Sequence, residues 1–375
     1  MSKVFDISGS AKHFAGRHPL INFIFIQITF WITAEVLLAL LFHFMLSAFS
    51  QIFTMNDQKA LFMNRIFFGV LLGIIYGITF GIMDYFFERH YFRRLSLGIS
   101  LLIKTITSFI VFLTLYILIK FMFENYLRPM YYVNAPVFNQ EFWKYLFYMF
   151  ILYNYVMILI INFINQVNKK YGPGVLLPLL LGKYRKPRVE EKIFMFMDLK
   201  SSTTIAEKLG HLKYSSFISD SLMDINLIMP KYNAEIYQYV GDEIVITWSL
   251  KSGLSNRTCL KFFFACEEEF KKRSEYYLEK YGIIPEFKAG LHMGKITTVE
   301  IGEIKRDLAY HGDTINTTAR IQSVCNDYKK HLLISKFMFD NFDDPVKNKN
   351  YRSESLGMIQ LKGKLNPIEI ISIEL

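Results

Sequence analysis

Long apolar segments dominate the first half of the chain. Four of them are long enough for a helix to cross a bilayer, which takes about 20 residues: Ile21–Leu46, Leu61–Ile82, Leu101–Phe123 and Phe142–Ile164. The first segment is too long for the core of a signal peptide, and no small-residue cleavage site follows it. We therefore predict that residues 1–168 form a bundle of four transmembrane helices in a lipid bilayer.

Basic residues flank these spans on one side. They lie before span one, between spans two and three, and after span four: Lys3, Lys12, Arg17, Arg89, Arg93, Arg94, Lys169, Lys170, Lys183, Arg185, Lys186 and Arg188. The opposite connections hold Lys59 and Arg128. Because basic short loops stay in the cytoplasm, we expect a multi-pass protein of the plasma or inner membrane, with both ends of the bundle and the second half of the chain cytoplasmic.

Small and ionisable residues mark the first two spans. Span two has a glycine at every fourth position, Gly69, Gly73, Gly77 and Gly81, which predicts a helix-packing seam within the bundle or between two protomers. Span one contains Glu35 and His43, and span two contains Arg65. Helical rise places Glu35 roughly 10 Å deeper than Arg65, so we expect no direct ion pair between them; His43 and Arg65 are nearer in depth. We interpret Glu35 as a hydrogen-bonded structural carboxyl, with a sensing role as the alternative.

The charge of the chain is divided unevenly. Of the 375 residues, those up to Arg188 include 18 basic and 7 acidic residues, and the remainder includes 25 basic and 26 acidic residues. The second half therefore lacks the basic excess of a nucleic-acid-binding domain, and we expect no nucleic-acid partner. Its three cysteines do not suggest a disulfide framework. Pro173, Pro178 and Pro187 interrupt any long helix at the joint, which we predict is a linker over residues 169–190.

Strand and helix patterns alternate over residues 191–375. We predict strands at Ile193–Asp198, Ala234–Val240, Glu243–Trp248, Glu286–His292 and Ile296–Ile301, paired as two hairpins after the first strand. We predict helices from Ser201 or Ser202, and over His211–Met229, Asn256–Lys280 and Asp313–Cys325. This order indicates an α+β fold, with one sheet covered by helices.

Two aspartates lie at positions where chemistry is common. Asp198 ends the first strand, and Asp242 lies in the tight turn of the first hairpin. If those strands are neighbours, both carboxylates reach one edge of the sheet and could bind Mg²⁺ or Mn²⁺. The helix that begins near Ser201, Ser202 and Thr203 offers free N–H groups to a phosphate.

A third element lies in the segment His311–Arg320. Asn316 and Arg320 are four residues apart in a predicted helix and therefore share a face. An amide and a guanidinium side by side can hold a ribose and stabilise charge that develops on a phosphate.

The segments FMDLKSSTT, YQYVGDEIVITW, FKAGLHMGK and YHGDTINTTARI occur in the order and spacing of class III nucleotidyl cyclase domains, which residues 191–375 resemble. The resemblance implies a ferredoxin-like catalytic domain that converts ATP to cyclic 3′,5′-AMP and pyrophosphate. It implies two divalent metal ions held by Asp198, Asp242 and the Leu199 carbonyl. It also implies that Asn316 orients the ribose, that Arg320 stabilises the transition state, and that the sites form in a homodimer. Lys364, rather than Lys362, would contact the terminal phosphates.

The residues that recognise the base depart from the family pattern. The resemblance assigns purine recognition to Gln238 and Ala309. A glutamine amide pairs with either purine edge, and alanine offers no side-chain hydrogen bond, so a guanylate or mixed-specificity cyclase is the first alternative to the preferred ATP. A diguanylate cyclase is disfavoured because the turn at Gly241 lacks a second glycine. The third alternative is a membrane receptor whose cyclase domain binds nucleotide without turning it over.

Overall fold

The computed structural model describes residues 19–50, 58–90, 95–122, 125, 140–171, 182–304, 306–342 and 351–375. The chain divides into two compact units, a helical unit His18–Tyr171 and a second unit that contains Gly172–Leu375. Several residues used above lie outside the described ones: Lys3, Lys12, Arg17, Arg93, Arg94, Arg128, Pro173 and Pro178. The domain limits drawn at residues 168 and 190 stay a prediction.

Four long helices form the described part of the helical unit: α1 (Pro19–Ser50), α2 (Gln58–His90), α3 (Leu97–Met122) and α4 (Gln140–Tyr171). Each contains an apolar stretch of 24 to 26 residues, long enough to cross a membrane. Each predicted span lies inside one of these helices, except that the third span ends at Phe123, one residue past the end of α3. The helices confirm the predicted four-helix architecture by length and composition.

The glycine seam joins α2 to α1 of the same chain. The glycines lie against backbone of α1 in the order Gly73 on Ile32, Gly77 on Ile28 and Gly81 on Ile24. A Cβ atom added to these glycines would lie 2.5, 2.3 and 2.5 Å from the respective isoleucine Cα atoms. The two backbones therefore approach so closely that no side chain fits between them. The partner of the glycine seam is α1.

Polar groups are buried between the helices. The Glu35 side chain is 3% exposed, and its Oε1 atom has no hydrogen-bond partner among the described residues, so the expected hydrogen bond is absent at that oxygen. His43 does pair with Arg65, with Nδ1 3.2 Å from Nη1. The sequence interpretation missed an ion pair, in which the Lys104 Nζ lies 2.8 Å from Asp84 Oδ1.

One sheet of eight described strands forms the centre of the second unit. Its strands are β1 (Arg188–Leu199), β2 (Glu235–Val240), β3 (Glu243–Ser249), β4 (Phe287–Ile301), β5 (Asp307–His311), β6 (Leu332–Ser335), β7 (Arg352–Ile359) and β8 (Ile368–Glu374). Their order is β2-β3-β1-β4-β6-β8-β7, with β5 paired to β4. All pairs are antiparallel except β4 with β6.

Helices cover both faces of this sheet, which confirms the predicted α+β class. They are α5 (Ser202–Ile228), α6 (Leu250–Leu254), α7 (Thr258–Lys272), α8 (Ser274–Tyr281), α9 (Asp313–Ser323) and α10 (Lys336–Phe339). The main core lies on one face and includes Met195, Phe217 and Phe262. The other face carries Phe194 in a smaller apolar cluster against α9.

Two predicted elements were wrong, and a third was right in an unexpected form. The second hairpin does not exist, because Phe287–Ile301 is one continuous strand and its hairpin partner is β5. The long helix Asn256–Lys280 is interrupted at Arg273, which has φ −100° and ψ 15° and separates α7 from α8. The two predicted helices after Ser201 run together as α5, with a kink at Gly210 (φ 70°, ψ 164°) where they were expected to part.

Candidate functional site

Charged side chains form a row across three neighbouring strands at one end of the sheet. Asp198, near the end of β1, pairs with Glu243 on β3 and with Lys288 on β4. Directly opposed residues project from the same face of a sheet, so these side chains lie together. The Lys288 ammonium, on a residue 9% exposed, is 3.1 Å from Asp198 Oδ2. The ammonium of Lys288 therefore lies, largely buried, against Asp198, the first predicted metal ligand.

Asp242 joins this row from the turn between β2 and β3. Gly241 precedes it with φ +64°, a conformation that glycine adopts without strain. The turn is thereby tight enough to bring Asp242 to the same end of the sheet. Its Oδ2 atom is buried and accepts no hydrogen bond from the described residues. A buried carboxylate oxygen without a donor is the kind of group that a bound cation satisfies.

The electrostatics of the cluster show an excess of negative charge. Burial, together with the neighbouring carboxylates of Asp198 and Asp242, raises the pKa of Glu243 to about 7, despite the opposing effect of Lys288. The pKa of Tyr214 is also raised, by burial and then by Asp242, against a hydrogen bond with Ser202. Both shifts indicate that the two predicted metal ligands act on the same small volume.

The donor set fits a divalent cation. Two carboxylates and the carbonyl of Leu199, the last residue of β1, supply hard oxygen ligands of the type that Mg²⁺ and Mn²⁺ accept. No group of three or more His, Cys, Asp or Glu side chains that could hold a metal occurs among residues that the structure describes. The residues at this end of the sheet match a divalent cation in the type of donor atom that they offer.

The helix α9 lies on β4 at two glycines. A Cβ atom at Gly290 would be 2.3 Å from the backbone nitrogen of Gln322, and one at Gly294 would be 2.6 Å from Thr314 Oγ1. Asn316 is exposed on this helix and Arg320 is half-buried. Gln322 instead points inward, and its Nε2 donates to Asp198 Oδ2 at 3.2 Å.

Comparison with known proteins identifies the family to which this domain belongs. The family model of the adenylate and guanylate cyclase catalytic domain matches residues 185–372, half of the chain. The chain belongs to this cyclase family. The match contains Asp198, Asp242, Asn316 and Arg320, so the geometry described above lies within the cyclase domain.

Three curated relatives align with this chain. Adenylate cyclase 2 of Rhizobium meliloti is 34% identical over 213 residues, which are 57% of this chain and 58% of that protein. Adenylate cyclase 1 of the same organism is 23% identical over 49% of this chain and 27% of its own length. Guanylate cyclase 2D of Rattus norvegicus is 21% identical over 51% of this chain and 17% of its own length. The chain thus spans little more than half of the first relative and much less of the others.

The predicted phosphate-binding turn of the cyclase domain lies at the start of α5. Ser201 precedes the helix in a left-handed conformation (φ 57°) and its side chain makes no capping hydrogen bond. Ser201 and Thr203 are exposed, and Ser202 is half-buried. The first N–H groups of α5 therefore follow Asp198 directly in the chain and are not capped by the preceding side chain.

Lys364 lies beside the arginine of α9. Its ammonium is hydrogen-bonded to Asp313 Oδ2 at the first turn of that helix, and a Cβ at Gly363 would be 3.3 Å from Arg320 Nη2. The hydrogen bond from Lys364 lowers the pKa of Asp313 and keeps its carboxylate charged. Lys362 is exposed. Two cationic side chains, Arg320 and Lys364, are thus gathered on one side of α9.

Gln238 and Ala309 lie on different strands. Gln238 is exposed on β2 beside an irregularity in the pairing with β3, and Ala309 is buried on β5 opposite Val299. Their chain neighbours meet, since the rings of Tyr237 and Tyr310 stack with centroids 4.5 Å apart. The structure therefore brings the two strands together, while the two predicted base-recognition side chains make no described contact with each other.

Sequence reasoning missed two residues of the site, Lys288 and Gln322. Strand alternation could have found Lys288, because it lies two positions before Gly290 and four before His292 on the same face of β4. Helical periodicity separates Gln322 from the face that carries Arg320, so its inward direction was also open to prediction. Its contact with Asp198 depends on how α9 is seated on β4, which no local pattern gives.

Proposed function

We propose that the chain is a membrane-anchored adenylate cyclase that converts ATP to cyclic 3′,5′-AMP and pyrophosphate at composite sites of a homodimer. The observation that carries this proposal is the cluster of Asp198 and Asp242 at one end of the sheet, with an excess of negative charge. In the reaction the ribose 3′-oxygen forms a bond to the α-phosphorus. The bond from that phosphorus to the oxygen bridging to the β-phosphate breaks, and pyrophosphate leaves.

Asp198, Asp242 and the Leu199 carbonyl would hold two divalent cations, Mg²⁺ or Mn²⁺. When bound, such cations favour loss of the 3′-hydroxyl proton and neutralise triphosphate charge. The Asn316 amide would orient the ribose, and the Arg320 guanidinium would donate to the oxygens of the α-phosphate as charge develops on them. Lys364 would pair with the terminal phosphates, and the backbone N–H groups near Ser201, Ser202 and Thr203 would donate hydrogen bonds to another phosphate oxygen.

The orientation of α9 supports a composite site. Arg320 and Gln322 are separated by about 200° around the helix, and Gln322 faces Asp198 of its own chain. Arg320 therefore projects away from that carboxylate and serves a second chain better than its own. Apolar side chains exposed on β2 and at the β4–β5 tip offer a surface for that second copy: Ile236, Tyr239, Val240, Ile301 and Ile304.

The choice of ATP rests on the relatives. Adenylate cyclase 2 of Rhizobium meliloti is 34% identical to the chain, and this similarity favours ATP as the substrate. The exposed Gln238 and the apolar Ala309 leave base recognition without a selective hydrogen bond, and this observation supports a guanylate or mixed-specificity cyclase as the second candidate.

Product analysis tests the substrate. The purified full-length protein is given ATP and GTP at equal concentration with Mn²⁺, and the products are separated by chromatography. We expect cyclic AMP to predominate. Predominant cyclic GMP would identify GTP rather than ATP as the substrate. Nucleotide binding without either product would support the alternative of a receptor with an inactive cyclase domain.

Complementation tests the dimer. Asp198→Ala and Arg320→Ala proteins should each be inactive, because each lacks one half of every site. Co-expressed, they should regain roughly a quarter of wild-type activity, since random pairing makes half of the dimers mixed and each mixed dimer has one complete site. A mixture that stays inactive would contradict a composite site.

The helical unit would anchor the cyclase domain and hold two protomers together, with both of its ends in the cytoplasm. Four helices of sufficient length support the anchoring, and the basic loops support the orientation. Protease added to sealed right-side-out spheroplasts should leave the cyclase domain intact, and cleavage without lysis would reverse the orientation.

A further inference from the structure

Gln322 is a buried polar residue that none of the predicted roles uses. It lies in the last turn of α9, it is 6% exposed, and its amide nitrogen is 3.2 Å from Asp198 Oδ2. A buried amide without a partner would cost stability, and here the partner is a predicted metal ligand. The contact joins residues that are 124 positions apart in the chain.

Close packing of helix on strand fixes where this amide points. Gly290 of β4 lies under Gln322, where an added Cβ would be 2.3 Å from the Gln322 nitrogen and 2.7 Å from its Cα. The backbone of Gln322 is therefore packed directly against β4 at Gly290. From this position its side chain extends to the neighbouring strand β1 and contacts Asp198.

Both described contacts of Asp198 fall on the same carboxylate oxygen. Lys288 Nζ and Gln322 Nε2 lie 3.1 and 3.2 Å from Oδ2, whereas Oδ1 accepts no hydrogen bond from described residues. The two donors differ in their effect, because the ammonium offsets the charge of the carboxylate and the amide does not. Gln322 can thus fix the orientation of the carboxylate and leave its negative charge available to a cation.

We propose that Gln322 is a positioning residue for the divalent cation at Asp198: its amide holds Oδ2 and turns Oδ1 toward the metal position shared with Asp242. This inference rests on the proposed function, because that function makes Asp198 a metal ligand. Outer partners of metal-binding groups typically contribute 10- to 100-fold to metal affinity, and we expect Gln322 to contribute within that range.

Mn²⁺ binding to the purified full-length protein tests this role without reference to turnover. Free Mn²⁺ is measured by electron paramagnetic resonance, with and without 3′-deoxy-ATP, which lacks the attacking hydroxyl. Gln322→Met, which keeps the length and removes the donor, should weaken Mn²⁺ binding about 10-fold or more. At saturating Mn²⁺ its kcat should stay within about twofold of wild type, because a positioning role is restored by excess metal.

A neighbouring residue supplies the matched control. Ser323 is exposed next to Gln322, and its hydroxyl bonds to the backbone of its own helix, so Ser323→Ala should bind Mn²⁺ like wild type. Gln322→Asn keeps the amide and shortens its reach, and it provides a second test if the methionine variant does not fold. Wild-type Mn²⁺ affinity in both Gln322 variants would overturn the inference.

Asp198→Asn separates this inference from the proposed function. If Asp198→Asn loses Mn²⁺ and the Gln322 variants keep it, the metal assignment stands and the positioning role fails. If Asp198→Asn itself binds Mn²⁺ as tightly as wild type, the metal assignment of the proposed function fails.

Discussion

Buried charge is arranged in opposite ways in the helical unit and in the cyclase domain. In the helical unit the side chains of Lys104 and Asp84 are 1% and 4% exposed and lie 2.8 Å apart, and Gln27 donates a further hydrogen bond to Asp84. In the cyclase domain, Asp198 shares its surroundings with Asp242 and Glu243, and Lys288 offsets only part of their charge. Each charge of the closed pair is balanced by its partner, whereas the open cluster keeps an excess of negative charge that a cation would balance. We propose that this contrast separates structural carboxylates from metal-binding carboxylates.

The largest expected effect concerns the closed pair. Asp84→Leu leaves the Lys104 ammonium buried without its counter-charge, and we expect a loss of about 3–5 kcal/mol in the free energy of unfolding. The measurement is chemical unfolding of the full chain in detergent micelles, followed by circular dichroism. Adding Lys104→Met to this variant should recover most of the loss, because no charge then stays buried. Thr114→Val is the control, because Thr114 is an exposed threonine on α3, the helix that carries Lys104. Wild-type stability of Asp84→Leu would show that the pair is not structural.

The open cluster should respond through activity rather than stability. Asp242→Asn removes a charge whose Oδ2 is buried without a donor, so we expect no loss in melting temperature. Cyclic nucleotide formation should fall by about 10²–10³-fold, since one electrostatic group of the site is lost. Asp327→Asn, at an exposed aspartate, should leave both properties unchanged. A parallel loss of stability and activity in Asp242→Asn would assign this carboxylate to the fold instead.

The glycine seam tests whether close helix packing stabilises the bundle. Gly77→Ala would place a Cβ 2.3 Å from the Ile28 Cα, and overpacking of this kind typically costs about 1–3 kcal/mol. Gly98→Ala on α3 is the matched control, because no atom lies within 4 Å of its added Cβ. Unfolding of both variants in micelles should show a loss for Gly77→Ala alone. Equal stability of the two variants would show that close packing at these glycines does not stabilise the bundle.

The smallest effect concerns a closed carboxylate inside the cyclase domain. Burial alone would raise the pKa of Asp220, but hydrogen bonds from Lys280, Tyr276 and Tyr281 outweigh it and hold the pKa below its usual value. Asp220→Asn should therefore cost about 1–2 kcal/mol at pH 7, measured by thermal unfolding.

The pH dependence of that cost has a defined sign. The contribution of a carboxylate with a lowered pKa is present above the usual aspartate value of about 3.9 and is lost as the pH falls through the lowered pKa. The difference between wild type and Asp220→Asn should thus shrink in acid. Asp340→Asn, which breaks an exposed ion pair with Lys336, should show little effect at any pH.

Much of the architecture was accessible from local pattern. The four spans followed from segment length, and the hairpin around Gly241 followed from its turn, which was enough to bring Asp242 near Asp198. The similar depth of His43 and Arg65 followed from helical rise. These features depend on residues close in sequence or on the geometry of one element, and local patterns determine both.

The misses share a different origin. The prediction divided the fifteen residues Phe287–Ile301 into two strands that end and begin on either side of Gly294, whereas Gly294 lies within one strand, at the place where Thr314 of α9 approaches it. The pair of Asp84 with Lys104 was missed because the two residues lie on different apolar helices, and only the packing of these helices brings the charges together. The contact from Gln322 to Asp198 likewise depends on tertiary structure.

The unbroken strand β4 has a consequence for the size of the reaction site. Lys288 beside Asp198 and Val299 opposite Ala309 are 11 residues apart on it, a span of about 35 Å for an extended strand. A single nucleoside triphosphate is much shorter than this distance. If Asp198 and Ala309 have the roles proposed above, one copy of the chain cannot bind the phosphates of a nucleotide at the first end of this strand and the base of that same nucleotide at the other end. Each strand of a symmetric pair would instead serve two substrate molecules, one at either end.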